Sequence, residues 1–533
     1  MKSFLAKCGA AVLGVLNGFD RLCFRGTLRN LAYPQGLQHY LWAKRIPFKD
    51  FDRHSKQVTQ QVVEASLRHA QETGREIRYL NSAEYRKEDV ARDIAARDGV
   101  TAGLICVLRS VDPCMSFAIH KSHVSKRLEI EYRQRKCLYL YHYQIHPVFG
   151  FMHARIQTWF PFRIYVCLNG REWLARQLDQ AGLTYQRRDN GFTWIEDLAQ
   201  AQRLLDTQLR TNWPRLLNAI AHSLNPLHDR LFAEYPTQYY WSVDQNEWAS
   251  DILFRRRTDL EALYPRLVRH AMATFSSADV LRFLGRKLTA AGEIPSRFAG
   301  EVMTSRKARE EGVRVKHWLN YNSIKIYDKG SALRVETTIN NPSDFRVYRA
   351  KESDPQGEKA WRALRHGVAD LHRRAQVSQA ANERYVEALA AVTDTTALKQ
   401  LAEPLCRPVL CPGRPKKGAA GRTRAYRVRA LNPLAADDAA LLQAVSQPEF
   451  MLNGLRNRDL CRLLHPSADA SPAEKRRRSA AVTRKLRLLR GHGLIHKVPK
   501  THRYQVSSDG RKAIIALLAA RDASADQLTA NVA

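Results

Sequence analysis

The chain has 533 residues, 44% of them hydrophobic, and its 86 Lys and Arg against 52 Asp and Glu give a formal net charge of +34 with a pI near 10.1. That length allows two to four domains with adequate cores, and the apolar fraction is ordinary for a globular protein, which excludes a fully disordered chain. The charge excess is not ordinary, and it names a polyanion, nucleic acid first, as the partner.

The elements follow in chain order. The opening run MKSFLAKCGAAVLGVLNGFDR carries a short apolar stretch. Lys7 interrupts it, and it continues into FDRLCFRGTLRNL without a clear cleavage site, so it reads as folded structure rather than a leader. SKQVTQQVVEASLRHAQETG has helical spacing, and VTAGLICVLRSV reads as a buried strand. The β-branched and aromatic run from LEIEYRQRKCLYLYHYQIH to FRIYVCLNG, with turn signals inside it, predicts a meander of three or four strands, followed by a helix at GREWLARQLDQAGL. Residues 212 to about 310 read as mainly helical, with a Ser cap at Ser276 or Ser277. Residues 356–402 read as a helical pair. The segment EPLCRPVLCPGRPKKGAAGRTRAYRVRALNP is a basic Pro/Gly-rich linker that should not pack; its Gly413-Arg414-Pro415 partly resembles the centre of an AT-hook.

The expected fold class is therefore α+β and multidomain. It comprises a mixed α/β domain with antiparallel meanders (1–210), a helical region ending in a β-hairpin (211–350), a helical pair (351–403), a basic linker (404–432), a C-terminal winged helix (433–520) and a disordered tail (521–533). No internal repeat is visible. Nine cysteines without a dense framework fit a reducing, cytoplasmic setting, and no Cys/His spacing matches a structural zinc site. No stretch reaches the length of a transmembrane helix, so no membrane partner is expected. The P-loop signature is absent, which argues against an ATP-driven motor.

The hairpin NYNSIKIYDKGSALRVETTINN turns at Gly330-Ser331. That register puts Lys325 opposite Glu336 and Tyr327 opposite Arg334, so Lys325, Tyr327, Lys329, Arg334, Glu336 and Thr338 share one face, while Ile324, Ile326, Leu333 and Val335 take the core side. The charged face reads either as catalytic or as solvated or phosphate-binding. GVRVKHWLN alternates and should add a third strand. His142, His146 and His153 lie near one turn and read either as a metal-ligand set, with Glu129 and Glu131 the nearest carboxylates, or as part of a polar strand face packed among tyrosines. Asp20 and Asp112 lie beside expected strands, and Asp244, Glu247 and Asp251 cluster in SVDQNEWASD; carboxylates at strand ends can bind metal, but sequence alone selects no triad.

IKIYDKG followed by LRVE resembles a motif of RepC/RstA-type rolling-circle replication initiators. The resemblance implies a nickase. Tyr327 would attack a phosphodiester, Glu336 would help bind Mg²⁺ or Mn²⁺, and Lys325, Lys329 and Arg334 would neutralise the phosphate. The two-histidine spacing of HUH-type nucleases is absent.

At the C-terminus, DDAALLQAVSQ, NRDLCRLL and SPAEKRRRSAAVTRKLRLLRGHG predict three helices, LIHKVP and HRYQVS a hairpin, and SDGRKAIIALLA a closing helix. LRLLRGHGLIHKV, the hairpin and YQVSSDGRKAI resemble the winged helix-turn-helix of MarR-type regulators. The resemblance implies a third helix in the major groove, with Ser479, Thr483 and Arg484 facing bases, and Arg477, Arg478, Lys485, Lys497, Lys500 and Arg503 holding phosphates. Arg487 belongs to the same basic surface.

Three functions fit this sequence. The first is a duplex-DNA-binding protein that nicks or transfers strands, as in a replication initiator or transposase of a mobile element. The second is a non-enzymatic winged-helix transcription regulator. The third is an RNA-binding protein whose aromatic strands stack bases. A homodimer is compatible with each.

Overall fold

In the computed structural model, the described residues are 1–523 apart from 82–85, 274, 287, 290–293, 297, 310–311, 352–353, 355, 394–397, 413–424, 448–449, 451–453, 467–470 and 499–500. The chain is α+β, with a large mixed sheet and helices against it. Up to residue 339 its strands are β1 (Val12–Leu28), β2 (Glu76–Tyr79), β3 (Gly103–Lys121), β4 (Leu128–His146), β5 (Gly150–Gln157), β6 (Ile164–Asn169), β7 (Tyr185–Arg188), β8 (Gly191–Ile195), β9 (Tyr239–Phe254), β10 (Val302–Arg309), β11 (Gly312–Leu319), β12 (Asn322–Asp328) and β13 (Ala332–Ile339). Eleven of them form one sheet in the order β10-β11-β12-β13-β9-β1-β6-β5-β4-β3-β2, and β7 pairs with β8 as a separate hairpin.

The sheet repeats itself. From β1 the order runs outward β6, β5, β4, β3; from β9 it runs outward β13, β12, β11, β10, with every pair antiparallel. Each half is one long strand, then helices, then a meander whose last strand returns beside the first. The halves meet along the β1–β9 ladder, Val12↔Phe254 to Leu28↔Tyr239. No sequence repeat signals this, because the two halves carry different side chains.

One sheet thus spans segments that the sequence reading separates at residue 210. The long strand β9 lies where the sequence reads as mainly helical. Its tract WASDILF is buried on both faces as a central strand, so it lacks the alternation that marks a half-exposed one. Residues 346–349 and 360–363 pair as a small hairpin instead of opening a helical pair, and a single long helix, Leu371–Leu389, then packs on β9 and β13.

The sheet has two unlike sides. On one, the helices Phe51–Glu72, Arg257–Ala273, Ser277–Phe283 and Leu371–Leu389 cover apolar rows that include Leu22, Phe24, Val166, Ile252, Ile324, Ile326, Leu333 and Val335. Each fully buried aliphatic side chain contributes about 1.5–3 kcal/mol. The other side carries polar and aromatic rows, covered in places by the helix Gly170–Gln180 and the β7–β8 hairpin.

Two histidines lie within this packing. His142 of β4 meets the Ser66 hydroxyl through Nε2 at 3.1 Å, and His317 of β11 lies between the hydroxyls of Thr304 and Tyr385. Burial, aided at His142 by His69, pushes both pKa values down to about 4. The unfolded value is about 6.5, so the stability held by these neutral imidazoles is present above that pH and lost as the pH falls towards 4, by up to about 3 kcal/mol per histidine. The urea midpoint should drop across that window, and His142→Gln and His317→Gln should each flatten the drop.

The C-terminal region forms its own core of residues such as Leu441, Leu460, Val482, Leu486, Ile495 and Leu517. Its helices are Ala436–Val445, Asn457–Leu464 and Pro472–Gly491; a hairpin pairs Ile495–Lys497 with Tyr504–Val506, and the helix Ser508–Asp522 closes it. Ser471 caps the third helix and Pro472 opens it, as the sequence predicts. The linker is not wholly loose. Val409–Cys411 pairs with Tyr426–Val428, and Leu405, Cys411, Val428 and Leu431 are buried in this core, because apolar residues flank the Pro/Gly stretch. Gly413-Arg414-Pro415, Lys500 and most of the 521–533 tail lie outside the described residues. Among the described residues no helix is long and apolar enough to cross a membrane.

Candidate active site

The predicted hairpin register is the observed one: Lys325↔Glu336 and Tyr327↔Arg334, turning at Gly330, whose φ is +90°. Its charged face is not solvated. Arg334 and Glu336 are fully buried, and Lys325, Tyr327, Lys329 and Thr338 are nearly so. The strand order explains this. β13 lies between β12 and β9, and β9 sets Asp251 opposite Arg334 and Glu247 opposite Thr338.

Across the seam, β1 supplies Asp20. The β1–β9 register shifts there, between Phe19↔Trp248 and Arg21↔Glu247, leaving Asp20 as the extra residue of a bulge. A bulge re-aims a side chain at a sheet interior, and this one brings Asp20 to the charged face. Arg334 donates to both oxygens of Asp251 at 2.5 and 2.8 Å, and through Nη1 to Asp20 at 2.9 Å. Arg171, also fully buried, adds a contact to Asp251 at 2.9 Å. It reaches the site because Gly170 lets the helix start press against β1; a Cβ there would lie 1.9 Å from the Phe19 carbonyl oxygen. Asn190, from the turn between β7 and β8, donates to Asp20 at 2.7 Å.

Glu336 sits beside this clamp. Tyr327 donates its hydroxyl to Oε2 at 2.7 Å, and the Lys325 ammonium pairs with Oε1 at 2.5 Å and with Glu247 at 3.6 Å. Oε1 makes no hydrogen bond of proper geometry. Asp20, Glu247 and Glu336 each present an oxygen, all within 4.8 Å of one another. Burial pushes Glu336 up to about 7 against the pull of Lys325, with Glu247 and Asp20 adding to the rise. Burial also acts to raise Asp20, but Arg334, Arg171 and Lys325 outweigh it and hold the carboxyl below its usual range.

These oxygens fit a divalent cation. They are hard donors on three strands, converging from β1, β9 and β13, and the repulsion from Glu247 and Asp20 that helps to raise Glu336 is one that a bound cation would relieve. Tyr327 fits an attacking group poorly. Its hydroxyl is spent on Glu336, and burial, with Glu336 beside it, raises its pKa well above the usual phenol value. The ring lies 5.4–5.8 Å from Lys325, Lys329 and Arg334, and Lys329 also pairs with Asp189 at 3.7 Å.

The same side of the sheet continues into a cavity of about 690 Å³. Its lining includes Cys23, His153, Arg155, Tyr165, Cys167 and Gln245, together with Tyr321, Asn340 and Asn341. Cys23 and Gln245 lie two residues along their strands from Arg21 and Glu247, so cavity and carboxylates share one strip of sheet.

The histidine set does not form. His142 pairs with Ala154 and His153 with Tyr143, which puts the two imidazoles on opposite sides of adjacent strands, since neighbours along a strand alternate. His146 Nδ1 accepts from the backbone of Val148 and Phe149. Glu131 lies near His120 and Arg133, away from the carboxylate cluster, and Asp112 accepts from Tyr141. Asp244 pairs with Arg25 at 3.1 Å.

In the C-terminal region, Arg484 and Arg487 are exposed on the third helix, with Arg487 over the Tyr426 ring at 3.7 Å, and Lys497 is exposed on the hairpin. Arg477 and Arg478 share Glu474, and Lys485 is half-buried. Ser479 and Thr483 are exposed but already bonded to Asn457 of the preceding helix, at 3.0 and 2.8 Å. Arg503 lies over the Tyr348 ring of the main body at 5.6 Å.

Sequence reading missed Arg171 and Asn190. Asn169, Gly170 and Arg171 carry a helix-cap signal, but nothing local says that the arginine is buried 80 residues from its partner. No family model matches this chain, and neither does any curated protein or solved structure.

Proposed function

We propose that this protein binds nucleic acid and cleaves or transfers a DNA strand by metal-dependent phosphoryl transfer. The observation that carries the reading is the convergence of Asp20, Glu247 and Glu336 on the central strands of a strongly basic protein. These residues would hold Mg²⁺ or Mn²⁺, which activates water and polarises a phosphoryl oxygen. Tyr327 and Lys325 orient Glu336, and Arg334 with Arg171 fixes Asp20. Arg21, more than half exposed beside Glu247, is placed to meet a phosphate. The nucleophile in this reading is water, not Tyr327.

The C-terminal region is read as a winged helix that grips duplex DNA. Its support is the order of three helices, hairpin and helix, with Arg484, Arg487 and Lys497 exposed on the third helix and the hairpin. A mobile-element replication initiator or transposase is the class that joins such a reader to a nuclease.

Supercoiled plasmid incubated with the purified protein should be nicked or linearised in Mg²⁺ or Mn²⁺ and left intact in EDTA. Removing residues 433–533 should abolish salt-sensitive duplex binding, and the salt slope of the full chain gives the number of phosphates it neutralises. Duplex binding without cleavage in either metal would favour a transcription regulator. Single-strand binding that survives the truncation would favour an RNA-binding protein.

A further inference from the structure

Cys23 of β1 and Cys167 of β6 are direct partners in the strand register, and their sulfurs lie 2.7 Å apart, one thiol donating to the other. Both line the cavity, together with His153, which pairs with Cys167 from β5, and Arg155. The metal chemistry proposed for the carboxylates uses neither thiol. A second close pair, Cys114 and Cys137, is buried in the cluster that contains Ala91 and Ile94 of the helix Lys87–Arg97, and does not line the cavity.

We propose that Cys23 and Cys167 form a peroxide-responsive thiol pair that closes to a disulfide across the cavity floor. Three features support this: the sulfurs of direct register partners already lie against one another, a small oxidant can enter through the cavity, and an imidazole and a guanidinium stand beside Cys167. The hydrogen bond with Cys23 and the adjacent His153 and Arg155 overcome the effect of burial and favour the Cys167 thiolate, while Cys23 is held in its protonated form. In the first step the Cys167 thiolate attacks a peroxide oxygen, the O–O bond breaks, and Cys167 becomes a sulfenic acid as the leaving hydroxide takes a proton to form water. In the second the Cys23 sulfur, giving up its proton, attacks the Cys167 sulfur and displaces a second water. Overall, two thiols lose two electrons and two protons, and one hydrogen peroxide becomes two waters. The bond would tie β1 to β6 two residues from Arg21, beside the carboxylate strip.

The inference does not depend on the nuclease reading. The full chain is treated with hydrogen peroxide, its free thiols are blocked with N-ethylmaleimide, and the digest is mapped by mass spectrometry. A Cys23–Cys167 linked peptide should appear with peroxide and vanish with dithiothreitol. In Cys23→Ser the link should be lost and Cys167 should become labelled by dimedone, the signature of a stranded sulfenic acid. Full maleimide labelling of Cys23 and Cys167 at a dose that oxidises a control dithiol would overturn the proposal. So would preferential formation of a Cys114–Cys137 link. The wild-type map decides the matter even if the variant folds poorly.

Discussion

Replacing Glu336 by glutamine is expected to lower metal-dependent strand cleavage about 10³-fold, equivalent to about 4 kcal/mol of transition-state stabilisation. The amide keeps the side chain's shape and can still accept from Tyr327, while Lys325 keeps Glu247 as a counter-charge at 3.6 Å. The fold should therefore survive and the cation affinity should not, which Mn²⁺ titration by calorimetry can separate from the rate. Tyr327→Phe is the matched control. It removes a hydroxyl that orients Glu336 but leaves the three carboxylates, so cleavage should fall about tenfold or less, as for the loss of one orienting hydrogen bond. Complete loss in Tyr327→Phe, together with a covalent protein–DNA adduct in the wild type, would restore a tyrosine nucleophile. Wild-type cleavage by Glu336→Gln would remove the carboxylate site from the chemistry.

The second large effect is structural. Arg334→Met should destabilise the protein by about 3–5 kcal/mol, since it leaves charged partners in the interior without their counter-ion. Arg334 serves Asp251 and Asp20 at once, and Arg171 alone cannot cover both: it meets Asp251 at 2.9 Å but Asp20 only at 4.0 Å. Urea denaturation gives the number. The double change Arg334→Met with Asp251→Asn should recover part of the loss, because the exposed penalty is an unpaired charge rather than lost packing. A single variant as stable as wild type would mean that water or another cation replaces the guanidinium.

The face assignments of the hairpin were legible because a strict alternation of charged and apolar residues admits one register. The helix Pro472–Gly491, the meander β4 to β6 and a serine cap at 276 or 277, which the structure resolves as Ser276, were legible from equally local signals. What covers the charged face was not. Its burial depends on Asp20 and Arg171, which lie far away in sequence and are joined to it by the β1–β9 ladder. β9 itself was obscured because a strand buried on both faces loses its polar beat. Glu247 and Asp251 could be noticed, but nothing local distinguishes them from other acidic residues until the ladder sets them opposite Thr338 and Arg334. The histidines failed for a related reason. Closeness along a hairpin says nothing about which side of the sheet a residue faces.

The repeated half-sheets give this carboxylate cluster the logic of a site shared between two subunits. The half that begins at β1 contributes Asp20 and Arg171, and the half that begins at β9 contributes Glu247, Asp251, Arg334 and Glu336. Neither half alone holds the three carboxylates, so an isolated half-chain would lack the proposed cation site however well it folded. The seam is therefore the quality check of the molecule: only when its two long strands have zipped in the right register do the acids and their guanidinium clamps face one another.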